Sequence, residues 1–209
     1  MCFLDILLGE NIKNSSEFLI PEHLFPYIDL PDFVQIELKK TLIDNQIKIF
    51  GKDQELWLLN RLDNETAWFL YFAKTQEAFD RYRQIQSEGK VHKRYIAQIK
   101  GTPKESAFEI TLPVMHHKHK EDRMIVLHSY KDKQKWRSKV HKPNTIVKVL
   151  HTDKNDVSTL LVGIYKWVRH QIRVHLAGIW YPVIGDTLYG KNKEKWSLRL
   201  RSVGFQINE

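Results

Sequence analysis

The stretch AWFLYFAKTQEAFDRYRQIQSEGKVHKRYIAQIKG, residues 67–101, contains three elements that can be read from spacing alone. AWFLYFA is an unbroken apolar run of strand length, the pattern of a strand covered on both faces. Thr75 follows as an N-cap for a helix over residues 76–88, in which Phe79, Tyr82 and Ile85 recur on one side. Gly89 supplies the stop. VHKRYIAQIK then alternates, so that Val91, Lys93, Tyr95, Ala97 and Ile99 share one face of a strand. Strand, helix and strand in this order predict a mixed α/β or α+β sheet.

Outward from this unit the signals vary in strength. LWLLN at 56–60 is a further buried-strand candidate, and RLDNET at 61–66 is a polar turn. PEHLFPYIDLPDF at 21–33 carries three prolines and reads as extended chain or loop, whereas FVQIELKKTLI at 33–43 reads as a short helix with Phe33, Ile36 and Leu38 or Ile43 inward. On the C-terminal side a charged middle, residues 116–142, flanks a short strand, MIVLHSY. TIVKVLH and VSTLLVGIYKW are two strands joined by a polar DKND turn. RHQIRVHLA is a helix ended by Gly178, with Ile172 and Leu176 facing the core. YPVIGDTLYG is a loop, and LRLRSVGFQIN is a closing strand.

The totals narrow the classes of function. The chain has 209 residues, enough for one domain without disulfides or metals. Residues 51–209 read as that domain, and residues 1–50 as an N-terminal extension. Hydrophobic residues at 42% and charged residues at 28% argue against disorder. No apolar run approaches the roughly 20 residues a membrane helix needs. MCFLDILLGENIKNSS lacks a basic start, and Asp5 interrupts its apolar stretch, so no signal peptide is expected. The single cysteine, Cys2, forbids an intrachain disulfide and suits a reducing cytoplasm. A net charge of +8 favours polyanionic partners, of which nucleic acid is the commonest.

Most catalytic motifs are missing. The HHKHK histidines at 116–119 lack the i, i+4 spacing of a helical metal pair, and no cysteine or carboxylate completes a set, so no metal is expected. Neither G-x-x-x-x-G-K-[ST] nor G-x-G-x-x-G occurs, and there is no G-x-S-x-G elbow.

What remains is Asp63 and two later stretches. RLDNET, then KRYIAQIKG, then HQIRVHLA followed by GDTLYG closely resembles, in that order, the RluA-like family of pseudouridine synthases. The resemblance spans residues 55–207, and the closing LRSVGFQI fits it loosely. It implies an α+β fold with a mixed, largely antiparallel sheet and flanking helices. It also implies isomerisation of uridine to pseudouridine inside an RNA chain, ribosomal or transfer, with no cofactor and no metal. On this resemblance Asp63 is the essential carboxylate, Arg173 its countercharge and Tyr95 the platform for the flipped base. Arg can pair a carboxylate through two parallel hydrogen bonds and hold it ionised in a dry pocket. Arg61 resembles the arginine that fills the space the base leaves. His170, Gln171 and Lys93 stand in the same motifs as candidate RNA contacts.

Six Lys or Arg against one Asp in residues 131–142 make Lys135, Trp136 and Arg137 candidate backbone and stacking contacts. A cytoplasmic monomer is the family-like expectation. The alternative is a catalytically inactive RNA-binding or ribosome-assembly protein on the same fold. The chain departs from the family pattern at Asn60, at Ala67 and Trp68, and at Trp167-Val168-Arg169, where the family has His, Ser-Gly and Gly-Arg-Thr. Neither the family's lysine-proline-x-glycine strand nor its small N-terminal RNA-binding domain is recognisable in residues 1–50.

Overall fold

The alternation of residues 91–99 becomes the central strand of the computed structural model, which describes residues 33–38, 57–59, 63, 66–73, 75–129, 139–190 and 197–207. In chain order the elements are β1 (Phe33–Leu38), β2 (Trp57–Leu58), β3 (Ala67–Ala73), α1 (Gln76–Ser87), β4 (Val91–Lys100), β5 (Ala107–Ile110), β6 (Val114–His116), β7 (Met124–Val126), β8 (Thr145–Thr152), β9 (Val157–Ile164), α2 (Gln171–Gly178) and β10 (Leu200–Ile207). The main sheet runs β1-β3-β10-β4-β9-β8-β5, with β2 against the far end of β3; β6 and β7 form a separate ribbon. Every pairing in the main sheet is antiparallel except β3 with β10. This is the α+β, largely antiparallel arrangement expected.

Residues 33–38 overturn one expectation, since they form a strand rather than a helix. Val34, Ile36 and Leu38 also alternate, and β1 pairs with β3 over six positions, Phe33↔Ala73 through Leu38↔Trp68. Pairing to a distant strand outweighs a weak helical spacing. β1 thus joins the main sheet from within the span set apart as an extension.

α1 begins as read, with Thr75 Oγ1 accepting from the Ala78 N–H at 3.1 Å. It lays Tyr82 edge-on against Phe205 of β10, ring centres 5.4 Å apart. All five inward residues of β4 are buried, and Ala97 and Ile99 meet Leu160, Val162, Ile172 and Leu176 in the largest apolar cluster. The larger of these, Ile99, Leu160, Val162, Ile172 and Leu176, each contribute about 1.5–3 kcal/mol on burial.

α2 departs from a simple amphipathic helix, because all six residues from Gln171 to Leu176 are buried. Its polar members are satisfied internally. The His175 ring bonds Thr145 Oγ1 and the Leu112 carbonyl, both at 2.9 Å, and burial pushes its pKa down. Gly178 is required where α2 meets the β6–β7 ribbon: a Cβ there would lie 2.8 Å from Val126.

The helix closes with Trp180 N–H donating to the Ala177 carbonyl and Tyr181 N–H to that of Leu176. In this closure the residue in the left-handed region is usually glycine. Here it is Trp180, at φ 70° and 76% exposed. Replacing Trp180 with Gly is expected to stabilise the fold by about 1 kcal/mol. Thermal melting would register this as a rise of about 2–4 °C; a lower Tm would mean that contacts of the indole outweigh the backbone strain.

Candidate active site

Three separate segments converge on one cleft. Asp63 lies just before β3, where its carbonyl accepts the Thr66 N–H at 2.8 Å and closes the polar turn. Tyr95 comes from the middle of β4, paired with Val162 of β9 and Ser202 of β10. Arg173 comes from the first turn of α2. The cleft they share also includes Thr66, Trp167 and His170, and it contains about 330 Å³ of empty space open to solvent.

The acid is flanked by two bases. Asp63 Oδ2 lies 3.9 Å from Arg173 Nη1, and Asp63 Oδ1 lies 3.9 Å from His170 Nε2. Arg173 does not spend its fork on Asp63, as the sequence led us to expect. Its Nε donates to Asp186 Oδ2 and its Nη2 to Asp186 Oδ1, each at 2.8 Å, which leaves Nη1 turned toward Asp63. The physical reason is geometric. Asp186 sits in the GDTLYG turn directly against α2, where its Oδ1 also accepts the N–H groups of Leu188 and Tyr189 at 2.9 Å. Gly190 allows that turn to close, since a Cβ at Gly190 would lie 2.4 Å from the Asp186 carbonyl oxygen. The buried guanidinium is therefore fixed by one carboxylate and presented to another. Its carbon also lies 5.5 Å from the centre of the Tyr189 ring.

His170 is a neutral neighbour rather than an ion-pair partner. Burial, with the Arg173 and Arg169 charges added, brings its pKa down to about 4. Its Nδ1 lies 2.9 Å from the Tyr189 hydroxyl, whose oxygen accepts the Met124 N–H at 2.9 Å. The phenolic hydrogen is then best used on Nδ1, which puts the ring proton on Nε2, facing Asp63. Burial also pushes Tyr189 up to about 12, so it stays a protonated donor. Asp186 and Tyr189 hold the site together in roles that the sequence alone does not assign. Both stand in GDTLYG, so the signal was present as a motif without assigned roles.

Gln171 and Lys93, both expected among the RNA contacts, differ in position. Gln171 is committed to the scaffold: Oε1 accepts the Val168 N–H at 3.1 Å, while Nε2 donates to the Asn144 carbonyl and Thr145 Oγ1. Lys93 lies on the inward face of β4 two residues from Tyr95, and its cross-strand partner Ile164 lines the cleft. Arg61, Lys135, Trp136 and Arg137 lie outside the described residues.

Burial, with the Arg83 charge added, lowers the Lys93 pKa from 10.5 to about 8. Among the described residues no carboxylate is paired with it. Below pH 8 both folded and unfolded chains hold the proton, and the folded state carries the full cost of the buried charge. Between pH 8 and about 10.5 the folded state releases its proton first, so wild-type stability rises through that window. Lys93→Met should therefore be the more stable protein at pH 7, by on the order of 3 kcal/mol. Denaturant melts across pH 7–10.5 should show that advantage shrinking; a difference independent of pH would overturn it.

Comparison with known proteins identifies the frame around these residues. A model of the RNA pseudouridylate synthase family matches residues 34–178. The chain belongs to that family. Among family members, an uncharacterized RNA pseudouridine synthase of Aquifex aeolicus is 33% identical over 136 residues, which cover 64% of this chain and 39% of that protein. A ribosomal large subunit pseudouridine synthase D of Nitrosomonas europaea is 35% identical over 136 residues, covering 64% and 36% respectively. The chain thus spans well under half the length of these curated relatives. The solved human RNA pseudouridylate synthase domain containing 1 superposes with a TM-score of 0.69 at 21% identity, over 85% of this chain and 76% of that one. It shares the fold of the family.

Proposed function

We propose that the protein converts uridine to pseudouridine within structured RNA, ribosomal or transfer, without a cofactor. The observation that carries this reading is the meeting of Asp63, Tyr95 and Arg173 in one cleft, from three motifs far apart in the chain. In the reaction the bond from ribose C1′ to N1 breaks, the uracil turns over, and C1′ bonds to C5. The C5 proton leaves to water and N1 gains one, so the atoms balance without an added reagent.

Asp63 is the group placed to act on the ribose, as nucleophile or as base. Arg173 Nη1 and the His170 Nε2–H favour its ionised form. Tyr95, 5% exposed, offers its ring to the flipped uracil. A phosphate of the bound RNA would supply the anion that Lys93 lacks among the described residues. The lone cysteine fits a cytoplasmic setting, and a monomer is the proposed state.

The test is tritium release. RNA labelled at uracil C5 is incubated with the protein, and tritium appearing in water is counted. The name of the Nitrosomonas relative makes large-subunit ribosomal RNA the first pool to try. Release, with pseudouridine recovered after nuclease digestion, is the expected result. Tight binding with no release from any pool would leave the non-catalytic RNA-binding alternative.

A further inference from the structure

The connection from β9 to α2, residues 165–170, forms one side of the cleft mouth. Its exposed side chains are Lys166, Trp167 and Arg169. Trp167 is 49% exposed, yet it lines the cleft. A slack loop does not account for that exposure. The Tyr165 ring stacks on His92 at 4.4 Å and 10°. Val168 packs inward against Val114, Met124 and Val174, and its N–H is held by Gln171. Arg169 Nη1 donates to the Glu121 carbonyl at 2.9 Å. With residues on both sides fixed, the indole is held at the rim. Among the described residues the other exposed tryptophan, Trp180, is at the opposite end of α2 and outside the cleft.

We propose that Trp167 is a stacking platform for the unpaired nucleobase next to the uridine that enters the cleft. This rests on the RNA reading given above. The uracil itself belongs to Tyr95, which is nearly buried, whereas a half-exposed indole at the rim meets the strand as it leaves. Lys166 and Arg169, both exposed, flank Trp167 in the chain, and cations beside an aromatic are the combination that tracks a phosphate backbone while the ring takes a base. Any base has a π-face, so the contact fixes the path of the strand without choosing its sequence. Gly-Arg-Thr, the family pattern at 167–169, has no ring at the first position, so the platform is a feature of this chain.

The test uses a fluorescein-labelled oligouridylate of about ten residues. Its Kd is measured by anisotropy over a salt series for wild type, Trp167→Phe and Trp167→Ala. The alanine variant should bind roughly 5- to 150-fold more weakly at every salt concentration. The phenylalanine variant should retain most of the affinity. All three should share one slope of log affinity against log salt, because no phosphate contact is removed. Unchanged binding by Trp167→Ala, or a slope that falls along with the affinity, overturns the proposal. Tritium release run in parallel separates it from the isomerase reading. If wild type releases none while the Trp167→Ala binding loss holds, catalysis falls and the platform stands. If wild type and Trp167→Ala release tritium with the same half-saturating RNA concentration, the platform falls and catalysis stands.

Discussion

Asp63→Asn should abolish tritium release, lowering the single-turnover rate at least about a thousandfold, or roughly 4 kcal/mol in the barrier. Asparagine keeps the shape of the side chain but can neither attack the ribose nor accept its proton. The fold should change little, because asparagine is isosteric with aspartate and keeps an oxygen acceptor. Asp63 is 17% exposed at the cleft, and its distances of 3.9 Å to both His170 and Arg173 are too long for tight hydrogen bonds. Arg173 keeps its fork on Asp186 whether or not Asp63 is charged. We therefore expect a change in stability under about 1 kcal/mol and RNA binding within about fivefold of wild type. Asp186 cannot stand in for the lost acid, because both its oxygens are occupied by Arg173 and the backbone of its own turn. Release retained within about tenfold of wild type would place the essential group elsewhere.

The residues that were legible in the sequence are those whose role follows from local spacing. The inward face of β4, the Thr75 cap and the hairpin of β8 and β9 each need fewer than about twenty residues to be seen. What failed was non-local. Phe33 and Ile36 sit at helical spacing, and only the partner strand β3, more than thirty residues on, makes them a strand. β10 inserts between β3 and β4 from the end of the chain, which no reading of the strand–helix–strand unit reveals. The site divides in the same way. Asp63, Tyr95 and Arg173 could be picked out by motif. The partner that takes Arg173's fork depends on how the GDTLYG turn folds against α2, and the motif does not encode that. Trp167 could be seen as a departure from the family pattern, but its place at the cleft rim depends on the anchoring of Val168 and Arg169.

The buried pair of Arg173 and Asp186 carries the second large effect. Asp186→Asn should destabilise the protein by about 3–5 kcal/mol, because it leaves a guanidinium that is 2% exposed facing an amide in place of a carboxylate. Asparagine can still accept the Leu188 and Tyr189 N–H groups through Oδ1, so the loss measures the charge rather than the turn. Arg173→Lys should not preserve the arrangement. One ammonium cannot make the two parallel bonds to Asp186 and also face Asp63. The double variant Arg173→Met/Asp186→Asn removes both charges together and should recover most of the lost stability, since replacing a buried ion pair outright is often close to neutral. It should nonetheless show no tritium release, with Asp63 deprived of its cationic neighbour. A double variant as unstable as Asp186→Asn would mean that the pair holds the fold. Recovery of stability without activity would mean that the pair is kept to hold Arg173 Nη1 toward the Asp63 carboxylate.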